Sequence, residues 1–405
     1  MLRGPRTRAW VYQLGCLALS VAISLLCVEI FARLYEGSAD NSLVFQNASQ
    51  VEINGQPGQS SQVTSPPVFQ TNPHGTGSYR LRPNLDVKSR MARREVTLHI
   101  NSFGMPWSET TIEKPAGMQR IAFVGDSFTM GLWATTRESS LVGTFATLGS
   151  NGPFETLNFG VGGYGLDDDD LLIREEVMRF SPDYVVLIFF NGNDFRDTYL
   201  GLDKYVITDG VAAWNEEHLA QVIPYTITRA KGSPWASARG LLRDTATYRM
   251  LSVLKRQMEL RLSPPPPPGE FVVSSSFLSF TYWSQVPYPD LAGKAVDVSL
   301  ERLERMHEFL SARNVRLFIA AMPFREQVYA ASEHDYNYDI NLPQAYVAQF
   351  ASAHDIPYLD LLPPLREYVK HGESIYVDGD PHLNDAGHRI AGELVYSWFT
   401  AVASP

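Results

Sequence analysis

Cysteine is almost missing: the 405 residues include two, Cys16 and Cys27. Both lie inside one apolar run, so the rest of the chain has no disulfide, no thiol chemistry and no cysteine zinc site, and its stability has to come from packing. Histidine is sparse as well, nine in all and scattered. That counts against a dinuclear metal centre of the metallophosphoesterase kind, although "GDS", "GNGND" and "DPH" would supply Asp, Asn and His. Positive charge is in deficit, with 34 Lys and Arg against 44 Asp and Glu, a net charge of −10. No long Lys/Arg stripe occurs, so nucleic acid is not an expected partner. What the chain does have is apolar and aromatic residues, 44% and 12% of the total, enough for a sizeable core.

One stretch, "AWVYQLGCLALSVAISLLCV" from Ala9 to Val28, carries no charge and is long enough to span a bilayer as a helix. Arg3, Arg6 and Arg8 precede it, while Glu29, Arg33, Glu36 and Asp40 follow. The positive-inside bias then puts the N-terminus in the cytoplasm and the rest of the chain in the periplasm or outside the cell. No small-x-small cleavage site closes the run and "EIFARLYE" continues it, so an uncleaved anchor over residues 1–35 is expected rather than a signal peptide. Residues 36–94, rich in Ser, Gln, Asn, Pro and Gly at their start, read as a flexible linker and lead-in. "VTLHINSFGM", Val96 to Met105, alternates like an edge strand with a turn at Gly104.

From Arg120 onward apolar strands alternate with helical stretches, the signature of a parallel sheet covered on both faces. The strands are Ile121 to Val124, Thr156 to Phe159, Tyr184 to Phe190, Val315 to Met322 and Pro357 to Leu361. Helices are marked by Leu141, Phe145 and Leu148, by Leu171, Leu172, Met178 and Phe180, and by Leu300, Leu303, Met306 and Leu310, with Asn384 as N-cap of the last. Asp167 to Asp170 begin the second helix and are expected to complement its dipole. Residues 196–298 are too long for an ordinary crossover and read as an insertion. It contains a helix at 244–262, the stiff "SPPPPPGE" spacer and the aromatic "FLSFTYW", Phe277 to Trp283. This insertion is either a lid or cap over the site or a subdomain whose aromatics form its own core, the second being preferred. The main domain is then 95–195 together with 299–401.

Sites in open parallel sheets gather beyond the carboxyl ends of the strands. Ser127 in "VGDSF" follows the first strand, Gly163 in "NFGVGGYG" the second, Asn193 in "FFNGNDF" the third, and "DGDPHLN" with His382 the last. Singly each has an ordinary explanation: a cap, a turn glycine, an Asx turn, a structural histidine. Together and in this order they resemble the SGNH (GDSL-type) hydrolase family of serine esterases, over Arg120 to about Trp398 without the insertion. The resemblance implies a flavodoxin-like three-layer α/β/α fold. It also implies Ser127 as nucleophile, His382 as base, and an oxyanion hole made by the Ser127 amide, the Gly163 amide and the Asn193 side chain. No cofactor or metal is implied.

A serine hydroxyl needs a base to take its proton, an acid to orient that base, and donors for the charge that collects on the former carbonyl oxygen. The family's acid stands three residues before its histidine, where this chain has Gly379. Asp380 is therefore the first choice and Asp378 the alternative. His388 reads as structural, and Asp126 and Asp194 as braces of their turns. "GDSFT" lacks the second glycine of a GxSxG elbow, which counts against an α/β-hydrolase. The expected activity is hydrolysis of short-chain, acetyl-type esters, an acylated glycan being one substrate. Two alternatives stay open, an O-acyltransferase acting on cell-envelope polysaccharide and a non-catalytic assembly protein on the same fold.

Overall fold

The structure is a computed structural model that describes residues 20, 23–24, 26–30, 50–53, 56–57, 68–75, 77–91, 94–223, 247, 271–377 and 380–403. They divide into two units, Met1–Ala48 with Thr226–Pro265, and Ser49–Tyr225 with Pro266–Pro405. In the first unit residues 20, 23–24 and 26–30 are helical, and Glu29 accepts hydrogen bonds from the Thr247 amide and hydroxyl at 2.9 and 2.8 Å. Among the described residues no helix is long and apolar enough to cross a membrane. Most of the Ala9 to Val28 run, the expected helix at 244–262 and the proline spacer lie outside the described residues.

The second unit is built on a parallel sheet of five strands: β1 (Gln119–Gly125), β2 (Phe154–Asn158), β3 (Tyr184–Phe190), β4 (Arg316–Met322) and β5 (Tyr358–Asp360). Their order is β2-β1-β3-β4-β5, with every pairing parallel. All seven residues of β3, "YVVLIFF", are buried, as a strand covered on both faces requires. The short helix α1 (Ser127–Met130) follows β1, and α2 (Leu141–Gly149), α3 (Leu166–Glu175), α4 (Asp194–Leu200), α5 (Asp290–Ser311), α6 (Leu342–Ala353) and α7 (Asp385–Ala403) complete the layers. α2 packs on α7, while α3, α4 and α5 pack on one another. The order reverses direction between β1 and β3, and the crevice beyond their carboxyl ends is where such sheets place ligands.

Four expectations are corrected. Residues 68–91 are not linker: Phe69–Thr71 pairs antiparallel with Tyr79–Leu81, and Leu85–Met91 pairs with Arg94–Ile100. Val68, Phe69, Tyr79, Leu81, Leu85 and Val87 are buried in the main core. The period-2 signal is there, in Leu85 and Val87 inside against Asp86 and Lys88 outside, but it is only two residues deep and sits behind a polar preamble.

The insertion is narrower than 196–298 at both ends. Arg196 lies inside α4, α5 begins at Asp290 rather than 299, and Tyr205–Thr208 pairs with Val211–Trp214 as a hairpin. Its aromatics do not form a core of their own. Phe277, Tyr282 and Trp283 join the main core, with Trp283 fully buried and its ring 5.6 Å from that of Phe195 in α4. Finally, the acidic run at the head of α3 does more than complement a dipole. Asp168 is wholly buried and paired with buried Lys204, Asp167 pairs with Arg302 and Asp170 with Arg174.

Candidate active site

β1 ends at Gly125, and Asp126 caps the helix that follows by accepting the Phe128 amide at 2.9 Å. Ser127 is thereby fixed at the first position of α1, nearly buried, at the rim of the sheet. Its Oγ lies 2.8 Å from His382 Nε2, although 255 positions separate the two residues. On the far side of the ring, Nδ1 lies 2.6 Å from Asp380 Oδ1, which also accepts the His382 amide at 2.9 Å. A carboxylate only accepts, so the ring proton belongs on Nδ1 and Nε2 is left to receive the Ser127 proton. Burial works against the charge on Asp380, but its hydrogen bonds and attraction to His382 outweigh this and hold its pKa below the usual carboxylate value. Asp378 and Gly379 lie outside the described residues.

Strand β2 delivers the turn that carries Gly163. Asn158 at its end joins the turn to α1, donating to the Thr129 carbonyl at 2.8 Å and accepting the Gly160 amide at 2.9 Å. The Val161 amide donates to the Gly125 carbonyl at 3.0 Å. Gly163 has φ +79°, and a Cβ there would lie 2.8 Å from the Tyr79 hydroxyl oxygen, so neither the backbone nor the space admits a side chain. Tyr79 in turn donates to the Gly162 carbonyl at 2.7 Å. A Cβ on Gly162 would be 3.7 Å from Ser127 Cβ, which places this turn directly beside the hydroxyl.

Asn193 precedes α4, and its Nδ2 donates to Asp197 Oδ2 at 3.0 Å. Asp194 accepts the Phe190 amide at 2.8 Å, so it and Asp126 do brace their turns. Burial pushes the Asp126 carboxyl up to about 6, with smaller opposing effects from the Phe128 amide, the His382 charge and the Asn193 amide. The Asp194 carboxyl is raised well above its ordinary value by burial and then by Asp126 and Asp169. His388 is buried, accepts from the Leu141 amide at 3.3 Å and donates to the Leu132 carbonyl at 3.0 Å. It ties α7 to the loops beside the site without touching the Ser127–His382 pair.

Two residues escaped the sequence reading. Arg196 and Asp197 form a buried pair behind Asn193, and the signal was available: Asp197 stands four positions after Asn193, one turn along a helix. A cavity of about 260 Å³ lies between Arg80, Phe103, Phe159 and Phe180, and neither Ser127 nor His382 lines it. Among the described residues no group of three or more His, Cys, Asp or Glu is disposed to hold a metal ion.

A hydroxyl, an imidazole and a carboxylate in hydrogen-bonded series, at the switch point of a doubly wound sheet, can generate a serine nucleophile and pass its proton onward. Residues 123–390 match the model of the GDSL-like Lipase/Acylhydrolase family, and the chain belongs to that family: it is an ester-hydrolysing enzyme. Among solved structures it is similar to an acetyl xylan esterase, at 17% identity and TM-score 0.38, covering 70% of this chain and 99% of that one. It is also similar to a lipase/acylhydrolase from Enterococcus faecalis, at 15% identity and TM-score 0.38, covering 70% and 96%. A third is a putative lipolytic protein of the G-D-S-L family from Desulfitobacterium hafniense, at 12% identity and TM-score 0.36, covering 69% and 99%. These likenesses carry no argument about substrate. No curated protein matches the chain.

Proposed function

We propose that the protein is a serine esterase that cleaves short-chain, acetyl-type esters through an acyl-enzyme on Ser127. The observation that carries this is the unbroken series Ser127 Oγ to His382 Nε2 at 2.8 Å and His382 Nδ1 to Asp380 Oδ1 at 2.6 Å. In the first half-reaction Ser127 Oγ attacks the acyl carbon while its proton moves to His382 Nε2. Asp380 keeps the ring in register and stabilises the imidazolium. The charge on the carbonyl oxygen falls to the amides of Ser127 and Gly163 and to the Asn193 N–H not used by Asp197, each donor contributing about 3 kcal/mol. Collapse expels the alcohol, which takes the proton from His382. A water then loses its proton to the same nitrogen and attacks the acyl-enzyme, releasing the acid and restoring Ser127.

Aromatic rings pack against the base. The Phe128 ring lies 5.1 Å from that of His382 and 4.3 Å from Phe190, whose ring is 5.5 Å from Phe280. Acylated glycan is the natural polymeric substrate in this proposal, with the enzyme tethered outside the cytoplasmic membrane by Ala9 to Val28. The charge asymmetry around that run supports the tether, and protease treatment of spheroplasts against lysed cells tests it, since protection of the domain behind an intact cytoplasmic membrane would place it inside.

Fluorophosphonate labelling and nitrophenyl ester hydrolysis test the chemistry. Wild type labels at Ser127, Ser127→Ala does not, and Asp380→Asn loses about 10³- to 10⁴-fold in kcat. Labelling of the alanine variant, or faster cleavage of long-chain than of acetyl esters, overturns the corresponding part. Adding a glycan acceptor and following acyl transfer against acid release distinguishes hydrolase from transferase.

A further inference from the structure

One helical turn on from Asn193 lies a charged assembly that the reaction does not use. Asp197 in α4 is fully buried and accepts three hydrogen bonds: from Asn193 Nδ2 at 3.0 Å, from Arg196 Nε at 2.7 Å and from a terminal nitrogen of Arg196 at 3.0 Å. Arg196, itself nearly buried, reaches on into two other segments. Its other terminal nitrogen donates to the Leu278 carbonyl at 3.3 Å, and its guanidinium carbon lies 5.4 Å from the centre of the Trp214 ring. A buried ion pair is poor grounds for stability, because desolvating both charges offsets most of their attraction; fixing one geometry among several is its better-attested use.

The group whose geometry is at stake is the Asn193 amide. Turned over, it would set its oxygen against the Asp197 carboxylate, an acceptor facing an acceptor. Bonds to a charged acceptor are about twice as strong as neutral ones, so Asp197 selects the orientation with nitrogen inward, and the Asp126 carboxyl, on which the Asn193 amide also acts, favours the same orientation. The amide is planar, and once one N–H is committed to Asp197 the direction of the second is set. Arg196 grips both carboxylate oxygens, through Nε and one terminal nitrogen, and stops the group rotating.

We propose that Asp197, held by Arg196, is a positioning residue for the Asn193 amide, and that seating of the Trp214 hairpin and the Leu278 segment against Arg196 is part of building the oxyanion side of the site. This rests on the serine-esterase reading. Trp214 and Leu278 thereby act on the chemistry at one remove, since they hold the guanidinium that in turn holds the carboxylate. Losing Asp197 lets the amide present its oxygen to a developing negative charge, which hurts the transition state and leaves ground-state binding nearly untouched.

The experiment is a double-mutant cycle on nitrophenyl acetate, with kcat expressed per site titrated by fluorophosphonate. Asn193→Ala is expected to lower kcat about 100-fold, the loss of one oxyanion donor. Asp197→Ala is expected to lower kcat about 10- to 100-fold with KM within about threefold, and to add no more than about threefold in the Asn193→Ala background. Because Asp197→Ala alone strands the Arg196 charge, Arg196→Met with Asp197→Ala is measured beside it; this charge-balanced pair carries the comparison where the single variant does not fold.

Multiplicative losses in the combined variant, or kcat within threefold of wild type for Asp197→Ala, would reduce the pair to packing and overturn the inference. Wild type that neither labels at Ser127 nor hydrolyses the ester overturns the esterase reading itself. Wild-type labelling with multiplicative losses overturns only the positioning role.

Discussion

Single residues were the most legible level. Ser127, Gly163, Asn193 and His382 each follow a strand, and alternation of strand and helix sends strand ends to one rim, so their proximity could be argued from order alone. The acid was less legible, because spacing cannot say whether a carboxylate two or four residues before the histidine reaches the ring; the turn that lets Asp380 accept both Nδ1–H and the His382 amide is a matter of local backbone. Asp197 stands at a readable helical spacing from Asn193, but no letter records the orientation of the amide it holds. His388 yields a prediction at this scale. Burial lowers its pKa from the ordinary 6.5 to about 4, so between these values the unfolded chain binds a proton that the folded protein refuses. Its contribution to stability is therefore full above about pH 6.5 and lost as pH falls toward 4. Unfolding free energies of wild type and His388→Gln from urea titrations should converge by about 2 kcal/mol between pH 7 and pH 5; a gap independent of pH would show that His388 is not neutral in the fold.

The unit of construction one level up is the strand with the turn that leaves it. β1 and β2 do not merely lie side by side. A Cβ on Gly160 would come within 2.2 Å of the Met130 nitrogen, so the turn after β2 rests backbone against backbone on the helix that carries Ser127. Gly160→Ala is expected to force the two apart, lowering melting temperature and cutting kcat at least tenfold even in the folded fraction, as small displacements of reacting groups do. Circular dichroism melts and titrated kcat together check it, and unchanged kcat per titrated site would mean that the contact serves folding alone. Strand positions were readable because β3 and β4 are nearly continuous apolar runs. Helix ends were less so: Leu148 has the spacing of a core residue in α2 yet is 45% exposed, one residue before the helix ends at Gly149.

For the whole molecule the sequence separated what the fold joins. Composition suggested a tether ahead of a domain starting near 95, whereas the core takes Val68, Phe69, Tyr79, Leu81, Leu85 and Val87 from that region. Each such side chain contributes roughly 1.5–3 kcal/mol by burial, and their sum rivals the 5–15 kcal/mol that holds a typical domain folded. A chain truncated to begin at 95 should therefore melt without cooperativity, and one beginning at 49, which keeps the strand Gln50–Ile53 paired with Leu85–Met91, should melt cooperatively; cooperative unfolding of the shorter form would show these strands to be dispensable. The same lesson applies to the aromatics at 277–283, which polar and proline-rich surroundings disguised as a separate module although their rings fill the space beside α4.

The 255-residue separation of Ser127 from His382 also has a consequence in time. A ribosome releases the hydroxyl long before the imidazole, so a growing chain holds an inert alcohol. Only when the last helix docks does that alcohol become reactive, and no partly made chain can work as an esterase.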